Sequence, residues 1–271
     1  MTGLPDARPP ARHVGLIGFG AIGRDVYARL AADASLRQTV LIRRSTSRQI
    51  AAPGAAVVGD VAALVAARPD LVVEAAGQSA VAEFGPAILA AGISLIVASS
   101  GALGDAGLMQ ALAGAAERGG ARLIVPSGAI GGLDYLAALH DEPDARVVYT
   151  SRKPVAAWAA ELAALGQDPA ALAAPFTLFE GGAAEAARLY PRNLNAGLTV
   201  ALAAGAQRTT VRVIADPAVA HNTHEIEVES AFGTAAMRFA NLPSAINPKT
   251  SALTAPSLVA AVRRFFATVV I

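Results

Sequence analysis

The hydrophobic positions of this chain change their period along its length. Between residue 13 and about residue 126, short apolar runs of β type alternate with alanine-rich stretches whose apolar positions recur at helical spacing. The β-type runs are Val14 to Phe19, Thr39 to Ile42, Ala55 to Val58, Leu71 to Glu74, Ser94 to Ala98 and Arg122 to Val125. This alternation predicts an α/β fold with a doubly wound parallel sheet. A continuous run such as Asp70-Leu-Val-Val-Glu74 suits a strand covered by helices on both faces. After Pro126 the grammar changes. A helical stretch from Leu133 to His140 leads to a strand at Arg146 to Arg152, then more helix. From Arg208 to Asn241 polar and apolar residues take turns, as in His224-Glu-Ile-Glu-Val-Glu229. That pattern describes antiparallel strands with one wet face. Helical periodicity returns from Ser257 to Ile271.

The expected organisation follows. Residues 1–127 form the α/β domain, with 1–12 as a frayed leader around Pro9-Pro10. Residues 128–248 form an α+β domain on a mostly antiparallel sheet, and residues 249–271 supply a helix that packs back on the first domain.

Composition narrows the function classes. The 22 basic and 21 acidic residues leave a net charge of +1 without long like-charge blocks, so neither nucleic acid nor a membrane surface is an expected partner. A small molecule is. No uncharged apolar run reaches the roughly 18 residues of a membrane span. The absence of cysteine removes disulfides, thiolate metal sites and any cysteine nucleophile. The first residues carry no apolar segment of signal-peptide type, and a cytoplasmic protein is expected. Alanine-rich helices and an antiparallel sheet would supply a homodimer face.

The run His13-Val-Gly-Leu-Ile-Gly-Phe-Gly-Ala-Ile-Gly23 sets a G-x-G-x-x-G loop between the first strand and the first helix. Gly18 permits the tight turn, Gly20 lets backbone approach phosphates, and Gly23 lets helix pack on strand; Ala21 and Ile22 open the helix whose N–H groups face the pyrophosphate. An ordinary glycine-rich turn is the bland alternative. With a dinucleotide there, the sheet is of the Rossmann type. An acidic residue that would grip a ribose is expected about 20 residues on, where this chain reads Leu41-Ile-Arg-Arg-Ser45. Arg43 and Arg44 suit a 2′-phosphate, or else solvate the sheet edge, so the cofactor is expected to be NAD(P). Glu74-Ala-Ala-Gly77 at the end of the fourth strand and Ser99-Ser-Gly101 at the end of the fifth, with Ala76, Gly77 and Ser99 favoured, are candidates for the nicotinamide half.

Only four histidines occur, two of them in His221-Asn-Thr-His224. Strand alternation points them to opposite faces, so they are poorly placed to share a metal, and no metal site is expected. His224, opening the alternating strand, is the better acid–base candidate, as a neutral imidazole poised near pH 7. Lysine is as scarce: Lys153 and Lys249 are the only two among the 22 basic residues. Lys249, Thr250 and Ser251 offer a cation and hydroxyls to a substrate carboxylate. Lys153 would do likewise or be solvated. Pro126-Ser-Gly-Ala-Ile-Gly-Gly132 is a second glycine-rich turn, suited to close approach of a ligand or to a plain interdomain link.

Taken in order, Gly18-Phe-Gly-Ala-Ile-Gly23, Pro126-Ser-Gly-Ala-Ile-Gly-Gly-Leu-Asp134, Arg152-Lys-Pro154, Phe179-Glu-Gly181, Tyr190-Pro-Arg-Asn-Leu-Asn195, Asn222-Thr-His-Glu-Ile226 and Asn247-Pro-Lys-Thr-Ser251 resemble the L-aspartate dehydrogenase family over nearly the whole chain. The resemblance implies NAD(P)-dependent oxidative deamination of L-aspartate, through iminoaspartate, to oxaloacetate and ammonia, or the reverse, with a link to pyridine-nucleotide synthesis. It implies a catalytic role for His224 and cofactor contacts at Ala129 and in the Asn193/Asn195 segment, where Asn195 is favoured for the cofactor and Asn193 is left to the substrate. Competing readings are another Rossmann amino-acid enzyme of homoserine or dihydrodipicolinate type, and a non-catalytic NAD(P)-binding sensor. The dihydrodipicolinate type should carry paired histidines followed by a lysine-rich motif, which this chain does not have.

Overall fold

The computed structural model describes residues 12–42, 54–190, 194–247 and 250–270. Two compact units emerge. Met1–Val97, Ala111–Ile124 and Val259–Ile271 make the first, and Ala98–Gln110 with Val125–Leu258 make the second. The division is interleaved: the turn after the fifth strand belongs with the second unit and the chain's end with the first.

In the first unit the chain runs β1 (Arg12–Ile17), α1 (Ala21–Ala31), β2 (Leu36–Leu41), β3 (Ala56–Val58), α2 (Val61–Ala66), β4 (Leu71–Glu74), α3 (Gln78–Ala90) and β5 (Ser94–Val97), and after α4 (Ala106–Gly119) it adds β6 (Leu123–Ile124). All six strands are parallel, in the order β3-β2-β1-β4-β5-β6. This is the expected doubly wound sheet, with strand ends moved by at most three residues. The chain winds outward from β1 in both directions, which opens a crevice beyond the carboxyl ends of β1 and β4. Every residue of β4 is buried, as its unbroken apolar run requires. At the end of the chain, α9 (Thr254–Phe266) closes on this unit through its last turn: the Arg122 guanidinium lies 5.0 Å from the Phe265 ring centre and that of Arg12 lies 5.3 Å from Phe266.

The second unit contains α5 (Leu133–Ala138), β7 (Arg146–Lys153), α6 (Ala159–Ala164), β8 (Phe176–Gly182), α7 (Ala183–Leu189), α8 (Asn195–Ala204), β9 (Thr209–Ala215), β10 (Thr223–Ser230) and β11 (Gly233–Ala240). Its sheet has the order β11-β10-β7-β9-β8, antiparallel except where β7 meets β9. Sequence periodicity passed over β8. That strand lies at the sheet edge, is half-exposed, and shifts register between Thr177 and Phe179, which destroys the period-two signal. Along β7 the side chains of Tyr149, Ser151 and Lys153 share one buried face. Arg152 turns the other way and bridges Asp216 at 3.0 Å and Glu225 at 2.9 Å. Helix α8 covers β7 and β9. It comes close because Gly197 has no side chain: a Cβ there would stand 2.9 Å from Cε1 of Tyr149.

Among the described residues no helix is long and apolar enough to cross a membrane.

Candidate active site

The glycine loop has the conformations that a bound pyrophosphate needs. Gly18 has φ +91°, and a Cβ on it would press within 2.8 Å of the Ala75 carbonyl oxygen. A Cβ on Gly23 would collide with the Gly18 carbonyl, so helix and strand pack as closely as backbone permits. Gly20 differs. Its backbone is extended and an added Cβ would meet nothing within 4 Å. No side chain caps the start of α1 and no acid lies in its first turn, which leaves the N–H groups at Ala21 and Ile22 to an outside anion. Gly18 and Gly20 border a cavity of about 480 Å³, lined also by Ile17, Leu41, Ala75 and Ala76. Its size and its place beyond the carboxyl ends of β1, β2 and β4 fit a dinucleotide.

Two residues hold the turns beside this cavity, Glu74 of the Glu74-Ala-Ala-Gly77 segment and Arg24, which sequence reasoning did not single out. Glu74, buried at the end of β4, accepts hydrogen bonds from the N–H groups of Ala76 and Gly77, both at 2.7 Å, and so fixes the loop that carries them. Arg24 folds back to donate to the Phe19 carbonyl at 3.0 Å, holding a cation beside the glycine loop. Arg43 and Arg44 lie outside the described residues.

In the second unit His224 points into the face covered by α8 and is 7% exposed, whereas His221 sits exposed before β10. Tyr149, fully buried, places its hydroxyl 2.7 Å from Nδ1 of His224. The ladder explains the meeting: His224 stands opposite Ser151 and Tyr149 opposite Ile226, so the two rings are diagonal neighbours on one face. Burial, and then the nearby Lys153 cation, push the imidazole down to about 4. The expectation of a group poised near pH 7 is corrected accordingly: the ring is neutral across the physiological range because charging it there costs solvation. Lys153 is itself 7% exposed, and burial lowers its ammonium to about 8 against the opposing pull of Glu161. Its Nζ lies 5.0 Å from the centre of the Trp158 ring. Ser151 Oγ and Trp158 Nε1 are buried on this face without a hydrogen bond of ordinary geometry.

Asn195 heads α8 and ties that helix to the turn after β5. Its Oδ1 accepts from Gly101 N at 2.9 Å, and its carbonyl accepts from Ser100 Oγ at 3.0 Å and Thr199 Oγ1 at 2.9 Å. Ser99, buried in the same turn, belongs to the second unit. Ala129 lies in a turn secured twice, by Asn241 Nδ2 donating to its carbonyl at 2.6 Å and by Gly128 N donating to Ser257 Oγ at 2.8 Å. The hydroxyls of Thr250 and Ser251 shape their own loop, the first accepting from Asn247 Nδ2 at 3.3 Å and the second from Leu253 N at 3.1 Å. Asn193 and Lys249 lie outside the described residues. Tyr149, Ser151 and Asn241 were missed from sequence. A polar pair two residues apart within the β7 run was the available signal for the first two.

A family model described as aspartate dehydrogenase, C-terminal, matches residues 134–265, and one described as homoserine dehydrogenase, NAD binding domain, matches residues 18–126. An L-aspartate dehydrogenase 2 of Bordetella pertussis is 49% identical over 258 residues, covering 94% of this chain and 97% of its own. The chain belongs to the aspartate dehydrogenase family. A second member, the L-aspartate dehydrogenase of Cupriavidus necator, is 42% identical over 92% of this chain and 96% of its own length. Among solved structures, the aspartate dehydrogenase of Thermotoga maritima superposes with a TM-score of 0.76 at 28% identity, over 96% of this chain and 99% of that one. In this member of the family the glycine loop Gly18–Gly23 and the buried imidazole of His224 belong to separate sheets.

Proposed function

We propose that this protein is an NAD(P)-dependent L-aspartate dehydrogenase, which oxidatively deaminates L-aspartate through iminoaspartate to oxaloacetate and ammonia and also runs the reverse amination. Family membership supports the reaction, and the observation that carries the chemistry is the neutral, buried His224 with Nδ1 engaged by Tyr149. When bound, the nicotinamide supplies the hydride acceptor. Gly18, Gly20, Ala21, Ile22, Gly23, Ala76 and Gly77 would hold the dinucleotide, with Ser99, Ala129 and Asn195 as further contacts and Arg43 and Arg44 on a 2′-phosphate. Asn195 has its oxygen committed to Gly101, which leaves its amide nitrogen as the donor toward a ligand.

The two substrate carboxylates fall to Asn193, Lys249, Thr250 and Ser251, with Lys153 adding positive potential. His224 Nε2 is the ring nitrogen left to react. It takes a proton from water as the water oxygen adds to the imine carbon, returns it to the nitrogen that leaves as ammonia, and takes the remaining hydroxyl proton as the C–N bond breaks and that oxygen becomes the carbonyl of oxaloacetate. Domain limits near residue 127, a homodimer, a cytoplasmic location and a contribution to pyridine-nucleotide synthesis complete the reading. The cysteine-free chain is compatible with that compartment.

The test mixes purified protein with oxaloacetate, ammonia and NADH or NADPH. His224→Ala is expected to lose roughly 10²-fold in turnover with cofactor affinity near wild type. Near-wild-type turnover in that variant removes His224 from the mechanism. Cofactor binding without turnover by the wild-type protein, from about pH 7 to 10, would favour the sensor.

A further inference from the structure

The glycine-rich turn Pro126-Ser-Gly-Ala-Ile-Gly-Gly132 is held against strand β11 by that strand's half-buried side chains. Met237, Phe239 and Asn241 alternate there with exposed neighbours, and they share the face of the sheet that carries His224, which pairs directly with Phe239. Each of the three meets one residue of the turn. A Cβ on Gly131 would stand 3.2 Å from Cε1 of Phe239, a Cβ on Gly132 would collide with Sδ of Met237, and Asn241 Nδ2 donates to the Ala129 carbonyl at 2.6 Å.

Two peptide groups of the turn are thus anchored from outside it. Ser257 Oγ accepts from Gly128 N at 2.8 Å on one side, and Asn241 holds the Ala129 carbonyl on the other. Between them lies the peptide group that carries the N–H of Ala129. That N–H has no hydrogen-bond partner among the described residues, and Ala129 is half-exposed. With the groups before and after it fixed, the N–H keeps one direction and is left to an acceptor on a ligand. Asn241 also reaches the strand of His224, because its own backbone N–H donates at 3.3 Å to the carbonyl of Asn222, two residues before the imidazole.

We propose that Asn241 is a positioning residue for the cofactor: it holds the turn so that the Ala129 N–H is set for a bound NAD(P)H, and it ties that turn to the strand presenting His224. The inference rests on the cofactor contact given to Ala129 above. A turn ordered in advance loses little freedom when the ligand arrives, so the anchor should act on cofactor affinity. Calorimetric titration of the full-length protein with NADH and NADPH reads this without turnover. Asn241→Asp keeps the shape of the side chain but, ionised, has no proton to donate to the Ala129 carbonyl. Both Asn241→Asp and Asn241→Ala are expected to bind the cofactor about tenfold more weakly than wild type. In steady-state kinetics the KM for the cofactor should rise in step, with the KM for oxaloacetate within about twofold of wild type.

A merely structural asparagine would lower Tm and the yield of active protein while leaving both KM values alone. Wild-type cofactor affinity in the folded Asn241 variants overturns the proposal, and so does an equal rise in the two KM values. Should both variants fail to fold, Ser257→Ala decides: it frees the other end of the same turn, and unchanged cofactor affinity there overturns the proposal as well. A wild-type protein that binds neither NADH nor NADPH removes this inference and the reading beneath it together. If affinity responds as stated while the wild type turns over no oxaloacetate, the anchor stands and the dehydrogenase reading falls.

Discussion

The hydroxyl of Tyr149 meets Nδ1 of His224 at 2.7 Å in the interior of the second sheet, joining β7 to β10 by a side-chain bond as well as by the ladder. The contact makes the two ring nitrogens of His224 unequal. One is spent on the protein and the other is left for chemistry, and this inequality, rather than the presence of a histidine, is what separates His224 from the exposed His221. The same burial that permits the bond sets the charge state of the neighbouring groups.

Stability should therefore rise with pH in two separate windows. His224 titrates at about 4 when folded and at an ordinary 6.5 when unfolded, so between those values the unfolded chain binds the extra proton and stability is lost as pH falls. Lys153 titrates at about 8 folded against 10.5 unfolded, so stability increases again as pH climbs through that interval. Urea unfolding across both ranges measures the slopes. Lys153→Met should flatten the alkaline one, and an alkaline slope that survives the substitution would assign it to another group.

Lys153 should also be readable from His224. Its cation is the second cause, after burial, of the low imidazole value. Lys153→Met should raise the His224 titration above 4 without restoring the ordinary value, because burial remains. An unreactive dicarboxylate such as succinate should act in the same direction on the wild type by bringing negative charge to the ring. NMR titration follows both. A His224 value that ignores the dicarboxylate would place the substrate carboxylates away from this ring.

Gly20 permits a separation of folding from binding. Its φ of −75° suits any residue, and a methyl group there would meet no protein atom within 4 Å. Gly20→Ala should unfold within about 0.5 kcal/mol of wild type yet bind NAD(P)H at least roughly tenfold more weakly, because the methyl group occupies the path of the phosphates. Calorimetric titration with NADH and NADPH checks this. Wild-type affinity would mean that the pyrophosphate does not pass over Gly20.

Much of this was legible in the sequence because the parallel sheet is coded locally. Each strand of the first unit is a short apolar run, the turns after β1 and β4 have their glycines, and β10 alternates in period two. The α/β fold class, the nucleotide loop and the position of His224 on a strand follow from such local signals. What was not legible depends on pairing between distant segments. The register that sets His224 opposite Ser151 joins residues 73 positions apart, and the bond from Asn241 to Ala129 spans 112. Neither spacing leaves a periodic trace. Glu74 was legible as part of a segment at the cleft; that it turns back to hold Ala76 and Gly77 depends on the path of the loop. The low titration of His224 depends on burial and on Lys153, which periodicity does not report.

Gly197→Ala sets two known effects against each other. In an ordinary helix the change removes backbone freedom from the unfolded chain and stabilises by about 0.8–1.0 kcal/mol. Here the new Cβ would stand 2.9 and 3.0 Å from Cε1 and Cδ1 of Tyr149, and the ring cannot swing aside without giving up its bond to His224. Overpacking of this kind costs about 1–3 kcal/mol, so the expected outcome is a lower Tm despite the better helix former. The ring is the group displaced, so kcat should fall by more than the loss of folded protein accounts for. Thermal unfolding and steady-state kinetics on the same preparation decide the matter: a raised Tm with wild-type kcat would show that α8 leaves the Tyr149 ring room to move.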